Sequence, residues 1–106
     1  MLSIYETPTF VAEAAKIWST EGRLEFFAAI AADPEAGTVI PGSGGCRKVR
    51  WSRPGMRKQG GARVIYFARL EEGELCMLLV YPKSEKDNIP AYILKEIRKE
   101  IEHGRP

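Results

Sequence analysis

The stretch "ARVIYFARLEEGELCMLLVYP", residues 62–82, decides the fold. Its two halves, Ala62–Leu70 and Glu74–Pro82, are dense in β-branched, aromatic and aliphatic residues, and "EEG" between them has the length and the glycine of a hairpin turn. Neither half alternates apolar with polar side chains as a half-solvated strand does. Both faces of the sheet they found therefore need at least partial cover. A third strand is expected just upstream in "CRKVRW" (46–51), where Val49 and Trp51 point one way and Lys48 and Arg50 the other. On the next strand Arg63 faces away from Val64 and Tyr66. Tyr81 and Lys83, two apart, share a side at the end of the last strand. In an antiparallel meander Arg63 then converges with Tyr81 and Lys83 near one sheet end. The basic connection "SRPGMRKQGG" (52–61) would hang Arg57 and Lys58 over them.

Outward from this hairpin the chain reads as helix on both sides. "GTVIPGSGG" (37–45) is a loop by its Gly and Pro content. Before it, Phe10, Val11, Ala14, Ala15 and Trp18 recur at helical spacing, as do Leu24, Phe27, Ala28, Ile30 and Ala31. Gly22 is expected to separate these two helices, and Asp33-Pro34 to close the second. "LSIYE" (2–6) reads as a first strand, ended by Pro8. At the other end, Asp87 or Asn88 is expected to cap a last helix. Ile89, Ile93, Ile97 and Ile101 recur there every four residues, beside Leu94 and before Gly104. The order β-α-α-β-β-β-α predicts an α+β fold: a twisted antiparallel sheet with two N-terminal helices and a C-terminal helix. The helical pair should cover one sheet face and the last helix part of the other. A partly open face remains beside the basic connection. At 106 residues, without repeat or linker, residues 1–106 form a single domain.

Charge is unevenly spread. Residues 1–35 carry two basic and six acidic groups, residues 36–70 eight basic and none acidic, and residues 71–106 six basic and eight acidic. The middle block is thus +8 between ends of −4 and −2, although the total is only +2. Such a block attracts polyanions whatever the total. Read from composition alone, it fits a solvated basic face as well as a nucleic-acid surface. The longest strongly apolar run, Cys76–Tyr81, is too short to span a bilayer. The start lacks a basic segment and carries Glu6 early, which argues against a secretory signal. Cys46 and Cys76 lack a CxxC spacing and read as reduced, partly buried thiols of a cytoplasmic protein.

Much chemistry is excluded. The one histidine, His103, stands in the C-terminal tail, so neither a zinc cluster nor a histidine pair is expected. "PGSGGCRK" (41–48) lacks the Lys-Ser/Thr ending of a phosphate-binding loop. No acid lies in the basic block to hold magnesium, and no cofactor or metal is expected. Arg, Lys and Tyr remain. Arg presents a planar fork that matches phosphate oxygens. Trp51 shares the face of Val49 and reads as core.

The pattern "GSGGCRKVRW" (42–51), a basic loop, "GGARVIYF" (60–67), "LLVYPKSEKDNIP" (78–90) and a Lys/Glu-rich last helix resembles the RelE/ParE toxin superfamily of bacterial toxin–antitoxin systems, in its HigB-like, RelE-type branch of messenger-RNA interferases. The resemblance is most specific from Gly42 to Asp87. It implies a RelE-like α+β fold and a toxin that is a ribosome-dependent, metal-independent endoribonuclease, inhibiting translation from the cytoplasm. It implies as partners the ribosome, mRNA and a cognate antitoxin of helix-turn-helix type, and no membrane. Matched to the family's motifs, Arg63, Lys83, Tyr81 and Lys58 become the candidate catalytic residues, with Arg63 stabilising transition-state charge. Arg47, Lys48, Arg50, Arg53 and Arg57 become candidate RNA-binding residues. Pro82 replaces the glycine usual in the family's Y-G-K-x-E motif, and Ser84 and Pro90 stand where other members carry a further arginine and a late tyrosine. The superfamily also contains ParE-like gyrase inhibitors, so a non-catalytic inhibitor, or a degenerate toxin that binds RNA without cutting it, is the alternative.

Overall fold

The hairpin at residues 62–82 sits at the centre of a five-stranded sheet. The computed structural model describes residues 2–52, 61–83, 85 and 89–104. The elements are β1 (Ser3–Glu6), α1 (Pro8–Ile17), α2 (Thr20–Ala32), β2 (Thr38–Val39), β3 (Arg47–Trp51), β4 (Ala62–Arg69), a 3₁₀ turn (Leu70–Glu72), β5 (Glu74–Pro82) and α3 (Ala91–His103). The strand order is β1-β5-β4-β3-β2. Strands β2 to β5 are antiparallel neighbours, as a meander requires, while β1 runs parallel to β5. The sheet is therefore mixed rather than wholly antiparallel, because the α1–α2 pair carries the chain across one face before the meander begins. β2 is an addition: two residues inside the segment read as loop pair with Arg47 and Lys48.

The helices begin where side chains can satisfy their free N–H groups. Thr7 caps α1 by accepting from the Phe10 N–H at 3.0 Å, and Pro8 opens the helix. Ser19 caps α2 by accepting from the Gly22 N–H at 3.1 Å. The break between the helices thus falls at Trp18–Ser19, and Gly22, expected to separate them, lies inside α2. Trp18 leaves the helix and turns into the core, stacked 5.2 Å from Phe26.

Two cores flank the sheet. Phe10, Ala14, Ile17, Trp18, Phe26 and Ile30 of the helical pair cover Val64, Tyr66, Leu75, Met77 and Val80. On the other face Leu94, with Ile97 and Ile101, covers Cys46, Ile65, Phe67, Cys76 and Leu78. The apolar character of β4 and β5 on both faces is accounted for. A register shift at Ile65/Tyr66 pairs Ile65 with Leu79 but Tyr66 with Met77. This bulge lets Leu78 and Leu79 both face α3. The buried line of α3 differs from the four-residue isoleucine series, because each step of four rotates the side chain by about 40°. Ile93 falls off the line and Ile89 precedes the helix; both are partly exposed. Pro90 is the residue before the first turn, and Asp87 and Asn88 lie outside the described residues. Among the described residues no helix is long and apolar enough to cross a membrane.

Candidate nucleic-acid interface

Strand register assembles the site. Arg50 of β3 lies opposite Arg63 of β4, and Arg63 lies opposite Tyr81 of β5. One row across three strands therefore reads Arg50–Arg63–Tyr81. Lys48 stands two residues back from Arg50, and Lys83 two residues beyond Tyr81.

Hydrogen-bond parity sets the spacing of that row. The Ile40 N–H donates to the Cys46 carbonyl at 2.8 Å, so Cys46, Lys48 and Arg50 direct their main-chain groups toward β2 or away from the sheet. Arg50 and Arg63 then form a non-hydrogen-bonded pair, the closer kind, with Cα atoms about 4.5 Å apart. From the other side the Lys83 N–H donates to the Gly61 carbonyl at 3.1 Å, which makes Arg63–Tyr81 a hydrogen-bonded pair about 5.5 Å apart. The same parity puts Pro82 opposite Ala62 where no ladder bond is made, so its missing N–H leaves β4 fully paired. Gly61 starts this strand with φ +81°, and a Cβ there would collide with the Trp51 carbonyl oxygen.

The row lies on the α3 face of the sheet, beyond the part that α3 covers. Arg50 and Lys83 are exposed, and Lys48, Arg63 and Tyr81 are half-buried. Among the described residues no carboxylate pairs with Arg50 or Arg63. Two arginines are thus paired across the strands, with no carboxylate partner among the described residues. Like charges directly opposite one another destabilise a sheet, and a bound anion relieves them.

Arg47 is not brought to this row. Strand alternation turns it to the opposite face with Val49 and Trp51. There its guanidinium donates to the Gly37 carbonyl at 2.7 Å and to the Glu35 carboxylate at 3.3 Å. Arg53, Arg57 and Lys58 lie outside the described residues. Trp51 packs edge-on against Phe26 at 5.3 Å and belongs to the core. His103 is the exposed last residue of α3.

Two features escaped the sequence reading. One is a groove of about 630 Å³ along the outer edge of β3, lined by Lys48, Arg50 and residues of β2. The other is the anchor behind it. The buried Tyr66 hydroxyl accepts from the Gly37 N–H at 3.0 Å and donates to the Pro34 carbonyl at 2.8 Å. Burial pushes the Tyr66 phenol above its ordinary pKa, against the lowering by the Gly37 N–H and the Arg47 charge. Burial also pushes the Cys46 thiol up, against the charge of Arg98. Tyr66 lies on the face opposite the row, and Cys46, on the row's own face, is buried beneath α3. Among the described residues no three His, Cys, Asp or Glu side chains gather to hold a metal ion.

The chain has a RelE-like fold, a mixed sheet with a helical pair on one face and the last helix on the other. Three solved structures share it, each at 20% identity. A chain of the intact E. coli RelBE toxin–antitoxin complex superposes with a TM-score of 0.59 over 81% of this chain and all of that one. A mutant of E. coli RelE in the free state gives 0.62 over 92% of this chain and 96% of that one. The isolated E. coli toxin gives 0.56 over 95% and 99%. No family model matches the sequence.

Proposed function

We propose that this chain is the toxin of a toxin–antitoxin pair and cuts messenger RNA on the ribosome without a metal ion. The observation that carries the reading is the Arg50–Arg63–Tyr81 row, with Lys48 and Lys83 beside it, on the end of a RelE-like sheet that lies beyond α3.

The inventory suits cleavage by the RNA's own ribose. The 2′-oxygen attacks the adjacent phosphorus; its bond to phosphorus forms as the bond to the 5′-oxygen breaks. The 2′-hydroxyl proton passes to a basic group, and the leaving oxygen takes up a proton. The products are a cyclic phosphate and a free 5′-hydroxyl. Charge accumulates on the non-bridging oxygens, and paired guanidinium forks are suited to it. Arg63, central in the row, is assigned to that role, with Arg50 beside it. Lys83 and Tyr81 are assigned to proton movement and RNA positioning. Lys58 remains a catalytic candidate, and Arg53 and Arg57 RNA-binding candidates, through the family resemblance. A cognate antitoxin of helix-turn-helix type would silence the toxin by covering the row or keeping it from the ribosome. The similarity to a chain of a toxin–antitoxin complex supports an antitoxin partner, and its helix-turn-helix type rests on the family resemblance alone. The working compartment is then the cytoplasm, where the ribosomes are.

Mapping mRNA 5′ ends after induction without antitoxin tests the reading. Wild type should leave 5′-hydroxyl ends within translated messages, and Arg63→Ala, still folded by circular dichroism, should leave none. Intact mRNA with continued translation overturns the proposal. Intact mRNA with trapped gyrase and broken DNA replaces it with gyrase inhibition.

A further inference from the structure

β2 stops at Thr38, opposite Lys48, whereas β3 runs on to Trp51. The groove opens along this unpaired edge. One wall is Ala36 with Thr38, Val39, Ile40 and Pro41; the other is Lys48, Val49 and Arg50. The first wall is largely apolar yet solvent-facing, with Val39 45% exposed. It is also fixed in place. Gly37, just before it, is pinned by the Tyr66 hydroxyl and lies so close to β3 that a Cβ would sit 3.0 Å from the Lys48 carbonyl.

We propose that this groove seats a base of single-stranded RNA whose phosphate lies on the Arg50–Arg63 pair, and that residues 38–41 set which base is preferred. The inference rests on the RNA reading above and deepens it. Cations alone attract any polyanion. What the groove adds is an apolar slot one side chain from a phosphate fork, and single-stranded nucleic acid presents charge and flat apolar rings in the same close succession. An acidic peptide adding to the edge fits less well. Val49 and Trp51 direct their main-chain groups toward β4, so within β3 only Arg50 offers an outward N–H and C=O beyond the end of β2. One such pair matches the edge of a base, whereas strand addition uses a succession of them. Because the wall is already held by Tyr66, binding does not spend free energy on ordering it.

The test uses the whole chain and non-cleavable 2′-O-methyl trinucleotides, with the central base present or removed, followed by fluorescence anisotropy at low salt. Wild type should bind the intact probe about tenfold more tightly than the abasic one, a factor within the usual contribution of one base. Thr38→Trp, which fills the groove from an exposed position on the face of Lys48, should erase that difference. Thr38→Leu, which fills it less, should shrink it. Equal binding of both probes by wild type overturns the groove assignment and leaves the RNA reading standing. Binding of neither probe overturns both. Base-dependent binding without any mRNA cleavage in the induction experiment supports the groove and removes the nuclease reading. An acidic peptide bound by wild type and lost in Thr38→Trp, while the trinucleotides do not discriminate, assigns the groove to a protein partner and overturns the inference.

Discussion

Arg63 has an unusual neighbourhood for a strand residue: another arginine on one side and a tyrosine on the other. The Arg50–Arg63 contact is the closer type of cross-strand pair, so it costs the sheet stability that a Val or Thr pair would supply. Two effects of Arg63→Ala therefore have opposite signs. Cleavage should fall by about 10²–10³, the usual cost of removing one preorganised charge-stabilising donor. The melting temperature should stay level or rise. Arg63→Lys keeps the charge without the planar fork and should recover only part of the rate. Single-turnover cleavage and thermal melts of the three proteins check this, and a large drop in melting temperature for the alanine variant would speak for a structural residue instead. The position of Arg63 opposite Tyr81 was legible because strand alternation and a short hairpin together fix the register. Arg47 was grouped with the RNA-binding cations although the same alternation already sent it to the face of Val49 and Trp51. Its bonds to Gly37 and Glu35 show what that face holds. The Tyr66–Gly37 bond joins residues 29 apart and left no local signal.

α3 is the lid of the second core. Leu94 is its one fully buried side chain, and Arg98 clamps it from the edge. The Arg98 guanidinium lies 4.6 Å from the Phe67 ring centre, donates to Glu102 at 2.6 Å and to the Gly44 carbonyl at 2.7 Å. Leu94→Ala should cost about 2–5 kcal/mol, the range for emptying a buried leucine site, read from urea unfolding. Arg98→Ala should leave most of that core intact yet speed amide exchange along α3 selectively, since its bonds are peripheral and partly solvated. Exchange rising equally across β4 and β5 would contradict the clamp. The existence of α3 was plain from its isoleucines, but a period of four cannot name the buried line of a 3.6-residue helix. β2 was illegible because two residues in a Gly/Pro-rich run carry no periodicity. The direction of β1 was illegible because a four-residue edge strand reads the same parallel or antiparallel. The helix break was misplaced at Gly22 because a serine cap one turn earlier outweighs a glycine that the first turn of a helix tolerates.

Across the whole molecule, charge and burial give two responses to solvent. The Tyr66 phenol and the Cys46 thiol lie in different cores, both neutral when protonated and both raised by burial. As pH climbs past about 8.5 and then 10, the unfolded chain releases these protons before the folded one does. Stability should hold below that range and fall above it. Urea midpoints between about pH 7 and 10.5 should fall less steeply for Tyr66→Phe and Cys46→Ala than for wild type. The second response is to salt. In the basic middle of the chain, Arg47 pairs with Glu35, and Arg69 with Glu72 and Glu74. If Lys48, Arg50, Arg63 and Lys83 each meet a phosphate, the affinity for a single-stranded 12-mer should vary with salt at a log–log slope of about −2.8, from about −0.7 per contact. Contacts from Arg53, Arg57 and Lys58 as well would steepen it to about −5. Alanine in place of Lys48, Arg50, Arg63 or Lys83 should each return about 0.7 of slope, whereas Arg47→Ala should leave it unchanged because its charge is spent on the opposite face. A wild-type slope flatter than about −1 would mean that the cations meet no phosphates, and that the middle of this chain is basic only for the water around it.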